Sequence, residues 1–502
     1  MSSTASTDNN SGNANNNSGS TPTRKRIAPT IKPVLTQTEG TSNVTPLVPQ
    51  IVMGAGPQGP QARPATETLT PDKIVELNTD PFKCKANDAI HLRLISSVDQ
   101  VTLTSREEEE KGSEPSATKR PKLVDDDLSK PYHPTYTHQI IADDQMVHGY
   151  RGLHCDLWFS AASMRSYLSC RWEEAAQCPA RKDVNPAELL AEKLTCGHCD
   201  DLEEFKRIVE EDSKGFVPPG ECVAEMEDPS DPEGHKIEIY YDDISNKHKD
   251  SPAQMLHKRI QIMVLLFIDN SSYIDLDELG WREFFMFRKN VKTSQYSLVG
   301  FTTVYQFYNY PDKVRLRLSQ THIFTPYQRK GYGRKRFNTI HAFTHSLFYL
   351  RLVLIVDSIY NYARKNSKVA DITVEDPSDD FKPVRDLSDL KAIQSGHYFD
   401  DPKVELTKEL VEKIRSEQKI CRQQIQKCFQ VFEFKHAKES SEPDAMKNFR
   451  LALKGKIAVK FADWIQDCNT IEERRNMIDE IFKEHERDYT ELLKALEKRT
   501  KH

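Results

Sequence analysis

The sequence predicts an α+β protein built on a mixed, mostly antiparallel sheet with flanking helices. Three observations predict it. Residues 298–308 and 314–324 are strand-like runs on either side of Asn309-Tyr310-Pro311-Asp312, a good reverse-turn sequence. A loop with two close glycines follows, then a helical stretch and another strand at 369–374. The last hundred residues read as helices, at 405–434, 444–464 and 471–498.

Taken from the start, residues 1–79 are dominated by Ser, Thr, Asn, Pro and Gly and lack either periodicity, so a disordered tail is expected. Residues 89–95 alternate apolar and polar, as a half-buried strand does. Residues 99–130 carry Glu107 to Glu110, Lys119-Arg120-Pro121-Lys122 and Asp125 to Asp127, and read as a long, charged, disordered loop. A strand at 152–159 and one charged helix at 187–211 come next. Pro218-Pro219-Gly220 and the turn residues at 228–234 suggest a boundary near 232. Beyond it come a strand at 237–240, a helix at 255–267 and a strand at 284–287. In the final helix, Ile478, Phe482, His485, Tyr489, Leu492 and Leu496 alternate steps of four and three. That seam serves packing onto the body of the protein or a partner helix.

Charge excludes some functions. The 70 basic and 76 acidic residues give a net charge of −6, which suits a basic partner and disfavours direct nucleic-acid binding. The N-terminus has no apolar leader-like stretch, and the most apolar run, 347–356, is shorter than the about 20 residues a membrane span needs. A soluble intracellular protein without membrane association is expected. The ten cysteines are scattered, which reads as a reducing compartment, with Cys155, Cys170 and Cys178 as ordinary thiols. Cys196-Gly197-His198-Cys199 is a single Cys-x-x-Cys without a second pair, so no metal is expected. Arg24-Lys25-Arg26 and the 119–122 cluster could serve nuclear import, although such clusters are common by chance.

Three stretches carry chemistry. In Gln328-Arg329-Lys330-Gly331-Tyr332-Gly333, close glycines let backbone N–H groups converge, and a following helix N-terminus adds partial positive charge. Arg329, Lys330, Arg334 and Lys335 supply formal charge, which suits a pyrophosphate; taken alone, Gly-x-Gly is an ordinary turn. Glu375-Asp376 ends the 369–374 strand. A lysine substrate, with a pKa of about 10.4, must lose a proton before it attacks a thioester, and a carboxylate there could accept it. Alone, Glu-Asp-Pro is an exposed acidic turn. Asp269, Asp275, Asp277 and Glu278 gather near Trp281, a pattern that suits a cationic peptide or a solvated acidic loop.

Together these pieces resemble the GNAT-type acetyltransferases, whose signature is Gln/Arg-x-x-Gly-x-Gly. More specifically they resemble type B histone acetyltransferase catalytic subunits. Tyr136-Thr137-His138-Gln139, Tyr310-Pro311-Asp312-Lys313, the stretch 319–333 and Asp371-Ile372-Thr373-Val374-Glu375-Asp376-Pro377-Ser378 carry the likeness, over roughly residues 80–435. The resemblance implies an N-terminal histone-binding α/β domain (80–232), a GNAT catalytic domain binding acetyl-CoA in a splayed sheet (233–400) and a C-terminal helical domain (401–502). It implies direct acetyl transfer with Glu375 as base and Asp376 and Asp269 as supporting acids. Thr321, His322 and Ile323 would hold the cofactor's pantetheine arm by their backbone. Gln328, Arg329, Lys330, Gly331, Tyr332, Gly333 and Arg334 would hold its pyrophosphate. Asp143, Asp144, Trp281, Tyr305, Gln306 and Phe307 fall where the family holds its substrate, the N-terminal tail of histone 4. A WD-repeat histone chaperone is the implied partner, and nucleus and cytoplasm the implied locations.

The chain departs from the family in three ways. Asp269 stands where glutamate is common, and Gln145 replaces an acid in the tail-binding loop. The span from Gly333 to Asp371 is longer than one helix needs. Its apolar tract, 343–358, reads as a surface-packed insertion or as translated non-coding sequence. A non-catalytic histone escort with a damaged cofactor site, or an acyltransferase for another protein, are the alternative readings.

Overall fold

The structure is a computed structural model that describes residues 80–110, 128–177, 185–328 and 347–500. Two sheets organise it. β1 (Ile90–Ile95), β2 (His154–Ser160) and β3 (Ser166–Arg171) form a three-stranded sheet, parallel between β1 and β2 and antiparallel between β2 and β3. α1 (Val98–Glu110), α2 (Pro186–Lys193) and α3 (Leu202–Gly215) accompany it. The Asp201 carboxylate accepts the N–H groups of Glu203 and Glu204 and so starts α3. Phe205 and Val209 on α3 then bury against Trp158 of β2.

The larger sheet runs in chain order, each strand beside the next, through β4 (Glu221–Glu227), β5 (His235–Asp243), β6 (Trp281–Asn290), β7 (Tyr296–Asn309), β8 (Lys313–Ile323) and β9 (Val369–Val374). Every pairing is antiparallel except β8 with β9. Phe284, Phe285, Met286 and Phe287 are all buried, so both faces of the sheet are covered. α4 (Pro252–Phe267) lies on one face, where His257 meets Glu283. α5 (Leu347–Lys365) lies on the other, where Tyr362 packs on Phe284 and Tyr241. α6 (Phe381–Ser395), α7 (Lys408–Gln418), α8 (Arg422–Glu439), α9 (Ala445–Lys460) and α10 (Ile471–Thr500) complete the chain. The seam of α10 packs on the body: Tyr489 stacks near Phe434 and donates to Gln430.

Several sequence expectations change. The apolar tract is no surface insertion from 347 onward, because Ile355, Ile359 and Ala363 of α5 are fully buried one turn apart. Residues 98–110, read from 99 as loop, are helical. The single helix expected at 187–211 is two, broken around Gly197, whose φ of +75° no helix tolerates. β4 belongs to the second sheet although it precedes residue 232. Cys155 and Cys170 are not separate thiols: the β2–β3 register sets them opposite each other as a disulfide. Cys178 lies outside the described residues.

A buried charge cluster fixes α5. Arg351, only 3% exposed, pairs with Asp228, which is 0% exposed, at 3.2 Å, and donates to Ser230 and to the carbonyl of Tyr327. Arg288 of β6 reaches the same carboxylate at 2.6 Å. Burial opposes the Asp228 charge, but Arg351, Ser230 and Arg288 outweigh it and hold its pKa below the ordinary range. Asp228→Ala is expected to strand the Arg351 cation and lower unfolding stability by about 3–5 kcal/mol. Urea titration reads this as a lower midpoint at unchanged slope. An unmoved midpoint would mean that the cluster does not hold the helix.

Candidate active site

The site forms where β8 and β9 part. Their parallel register runs from Val314 opposite Val369 to Leu318 opposite Val374, and closes with the Glu375 N–H donating to the Leu318 carbonyl at 2.8 Å. Asp376 then turns in the left-handed region, at φ +33°, and Pro377 has no N–H to extend a ladder. β8 continues without β9. Along residues 319–323 it is paired only to β7 among the described residues.

A β-bulge sits at this parting. Val304 faces Leu318 and Thr302 faces Thr321, so Ser319 and Gln320 together oppose the single residue Thr303. The Thr303 hydroxyl accepts the Gln320 N–H at 3.0 Å. Such a bulge re-aims successive side chains and adds twist. Ser319 donates to Glu375 Oε2 at 2.7 Å. Gln320 donates to the carbonyl of Ser272 at 2.7 Å, in the loop that leaves α4. Asp269 lies in that loop, 3.3 Å from His138 Nε2. The bulge therefore ties the segments bearing Glu375 and Asp269 to neighbouring residues of one strand.

The surroundings hold both acids in place. Gln139 donates to the carbonyls of Leu265 and Ile268, and Thr135 and Tyr136 donate to that of Leu266, which satisfies the C-terminus of α4. On β9, the fully buried Asp371 binds Arg315 at 2.5 and 2.9 Å and Arg415 at 2.6 Å. Burial opposes that carboxylate's charge, yet the two arginines keep its pKa low. The edge of β9 away from β8 is closed by Ile420, which bridges Ile372.

Residues 82–269 match the family described as the histone acetyl transferase HAT1 N-terminus. A histone acetyltransferase type B catalytic subunit of Dictyostelium discoideum is 30% identical over 365 residues, covering 70% of this chain and 68% of the relative. A second from the same organism is 29% identical over 408 residues, 78% and 79% of the two chains. The type B catalytic subunit of Homo sapiens is 25% identical over 423 residues, 81% and 89%. The chain belongs to the type B histone acetyltransferase catalytic subunits.

In this acetyltransferase, Glu375 and Asp376 stand exposed at the end of β9, and Asp269 is exposed beside His138. Trp281, Tyr305 and Phe307 make one aromatic row, with ring centroids 4.9 and 4.5 Å apart. Gln306 does not join them. As the residue between two row members on a strand it faces the other side, donating to the Tyr241 hydroxyl at 3.1 Å. Asp143 and Asp144 lie exposed in a turn, with Asp144 accepting the Met146 N–H. Gln145 is not part of an acidic surface: its side chain turns inward to the Thr137 N–H. Gln328 is bound back to the Ile323 carbonyl. Arg329, Lys330, Gly331, Tyr332, Gly333, Arg334 and Lys335 lie outside the described residues.

The sequence reading missed Ser319, Gln320 and Arg317. Arg317 lies 3.7 Å from Glu375 Oε1, with its guanidinium 4.5 Å over the Phe307 ring. Alternation puts 315, 317 and 319 on one face of β8, but nothing local in the sequence tells that this face meets Glu375.

His322 forms part of the floor. It is buried and stacks on Phe267 of α4 at 4.8 Å, and its Nε2 has no partner among the described residues. Burial pushes its pKa down to about 3. An unfolded histidine titrates near about 6.5, so protonation favours the unfolded chain as pH falls from there towards 3. The wild-type enzyme is expected to lose about 2 kcal/mol more stability than His322→Leu between pH 7 and pH 5. Equal losses in denaturant titrations at the two pH values would mean that the folded protein accommodates the charged ring.

Proposed function

We propose that this enzyme transfers the acetyl group of acetyl-CoA directly to lysines in the N-terminal tail of histone 4, with Glu375 accepting the amine's proton. One observation carries the reading. The proposed base stands at the point where β8 loses its neighbouring strand, held by Ser319, with its other oxygen left towards Arg317 and solvent. A carboxylate so placed meets both requirements of the chemistry: access to an incoming amine, and contact with an unpaired strand edge.

That edge fits the cofactor. Residues 319–323 carry backbone groups on the side away from β7, and amides of a pantetheine arm can pair there along Thr321, His322 and Ile323. When bound, acetyl-CoA supplies the thioester carbonyl that the amine attacks. The pyrophosphate is assigned to Gln328, Arg329, Lys330, Gly331, Tyr332, Gly333 and Arg334 by the family signature.

A lysine ammonium holds its proton at neutral pH by about 5 kcal/mol, so a base poised at the amine matters. Oε1 of Glu375 takes that proton directly or through water, while Ser319 keeps its hydrogen bond to Oε2. Asp376 and Asp269 add negative charge around the cationic substrate. Trp281, Tyr305 and Phe307 offer an aromatic wall for the tail, and Asp143 and Asp144 attract its basic residues.

The same reading gives the enzyme a WD-repeat histone chaperone to present the tail. It places the enzyme in nucleus and cytoplasm, with residues 24–26 and 119–122 as import signals. The net charge of −6 favours a histone over nucleic acid.

Glu375→Gln keeps the shape and removes the base. Its turnover on a histone 4 tail peptide is expected to fall at least tenfold, towards the about 10²–10⁴-fold typical of lost general-base catalysis. An unchanged rate would move the role to Asp376 or Asp269.

A further inference from the structure

Two arginines two residues apart on β8 are held in opposite ways. Arg315 is locked by two hydrogen bonds to Asp371, whose remaining charge is taken by Arg415. Among the described residues Arg317 has no such hydrogen-bonded carboxylate. It stands two register positions along, opposite Tyr305 on β7 and Thr373 on β9. It lies flat on Phe307 and reaches Glu375 at 3.7 Å, beyond hydrogen-bond length. Both arginine side chains are 40% exposed, so the contrast lies in their partners and not in their access to solvent. A purely structural arginine would be expected to resemble Arg315. Arg317 is instead a loosely held cation beside the carboxylate that a substrate ammonium would approach.

We propose that Arg317 is a resident cation that occupies the ammonium's place at Glu375 and must yield to the substrate lysine, making lysine selection depend on the rest of the tail. The inference rests on the reading that the substrate amine is delivered to Glu375.

The chemistry is like-charge competition. An amine close enough to give Glu375 a proton, directly or through one water, also comes close to the guanidinium. Two acids among the described residues are already engaged elsewhere. Asp371 is saturated by Arg315 and Arg415, and Asp269 is engaged with His138. Phe307 gives Arg317 a second seat, since a guanidinium is favourable on a ring face without hydrogen bonds. A free lysine, or one in an unrelated basic segment, therefore gains little by pairing with Glu375. A tail that also binds the aromatic row and the outlying acids supplies the energy to push Arg317 aside. Repulsion built against the wrong ligand is a common route to specificity. Arg317 thus acts as a specificity-determining residue through Glu375, without itself accepting the proton.

The test separates charge from shape. Binding of two histone 4 tail peptides is measured in the presence of coenzyme A, so that no turnover occurs. One peptide carries lysine at the acetylated position and the other uncharged norleucine. In Arg317→Gln the lysine peptide is expected to bind about three- to tenfold tighter than to wild type, more so at low salt, with the norleucine peptide unchanged. Arg317→Lys keeps the cation and is expected to restore the wild-type ratio. In turnover, Arg317→Gln is expected to lower KM more for a short lysine peptide than for the full tail.

An unchanged lysine-to-norleucine ratio in Arg317→Gln overturns the proposal, as does tighter binding of both peptides alike. Turnover by Glu375→Gln tells the two failures apart. If that variant keeps its rate, the Glu375 reading falls and takes this inference with it. If it loses its rate while the Arg317→Gln ratio stays flat, only the role of Arg317 falls.

Discussion

The structure depends on where one strand pairing stops. Parallel β8 and β9 share hydrogen bonds as far as Leu318, and no further. Had the ladder continued, residues 319–323 would be an interior strand, with backbone groups satisfied and no room for another chain-like molecule. Had it stopped earlier, Glu375 would lose the Leu318 carbonyl and Ser319 that fix it. Two local features set the limit: a bulge on β8 opposite Thr303, and a turn through Asp376 and Pro377 on β9. Neither uses much energy by itself. Each removes the geometric repeat that a sheet needs to propagate.

Holding an open cleft requires a rigid frame around it, and the charges divide accordingly. Asp371 and Asp228 are buried with their arginines, close and multiply bonded. Such clusters add little net stability over an apolar core, but they break expensively, which favours one arrangement over near alternatives. Asp371 fixes β9 against β8 and α7 just before the parting, and Asp228 fixes α5 against the opposite end of the sheet. Glu375, Asp376 and Asp269 remain exposed, and the contacts of Glu375 and Asp269 are longer or single. The first group is suited to holding shape and the second to exchanging partners with a substrate.

Much of this was legible in the chain. Alternating runs around Asn309-Tyr310-Pro311-Asp312 gave the β7–β8 hairpin, and the acidic pair after 369–374 gave the strand-end carboxylate, because period and turn chemistry are local properties. What was not legible is non-local. The bulge depends on how β8 meets β7. Gln145 seemed a lost acid until its amide was found on Thr137. Cys155 and Cys170 become partners only through a hairpin register, and the apolar tract before 358 looked foreign because the span from Gly333 to Asp371 exceeds one helix, whereas its burial on the sheet is a tertiary property. Arg317 resembled any surface arginine, since its meaning lies in what stands at 3.7 Å.

The family signature Tyr136-Thr137-His138-Gln139 illustrates how a recognised motif acquires a physical reason. None of the contacts its members make is to Glu375. Gln139 and Tyr136 satisfy the carbonyls that end α4, Thr137 donates to Asn87, and His138 reaches Asp269. The motif thereby binds the N-terminal segment to the helix whose following loop carries both Asp269 and the Ser272 carbonyl that Gln320 grips. A change in this short stretch would reach the β8 bulge through two hydrogen-bonded steps, without touching substrate. The N-terminal region is thus joined by hydrogen bonds, through the loop after α4, to the strand that carries the bulge.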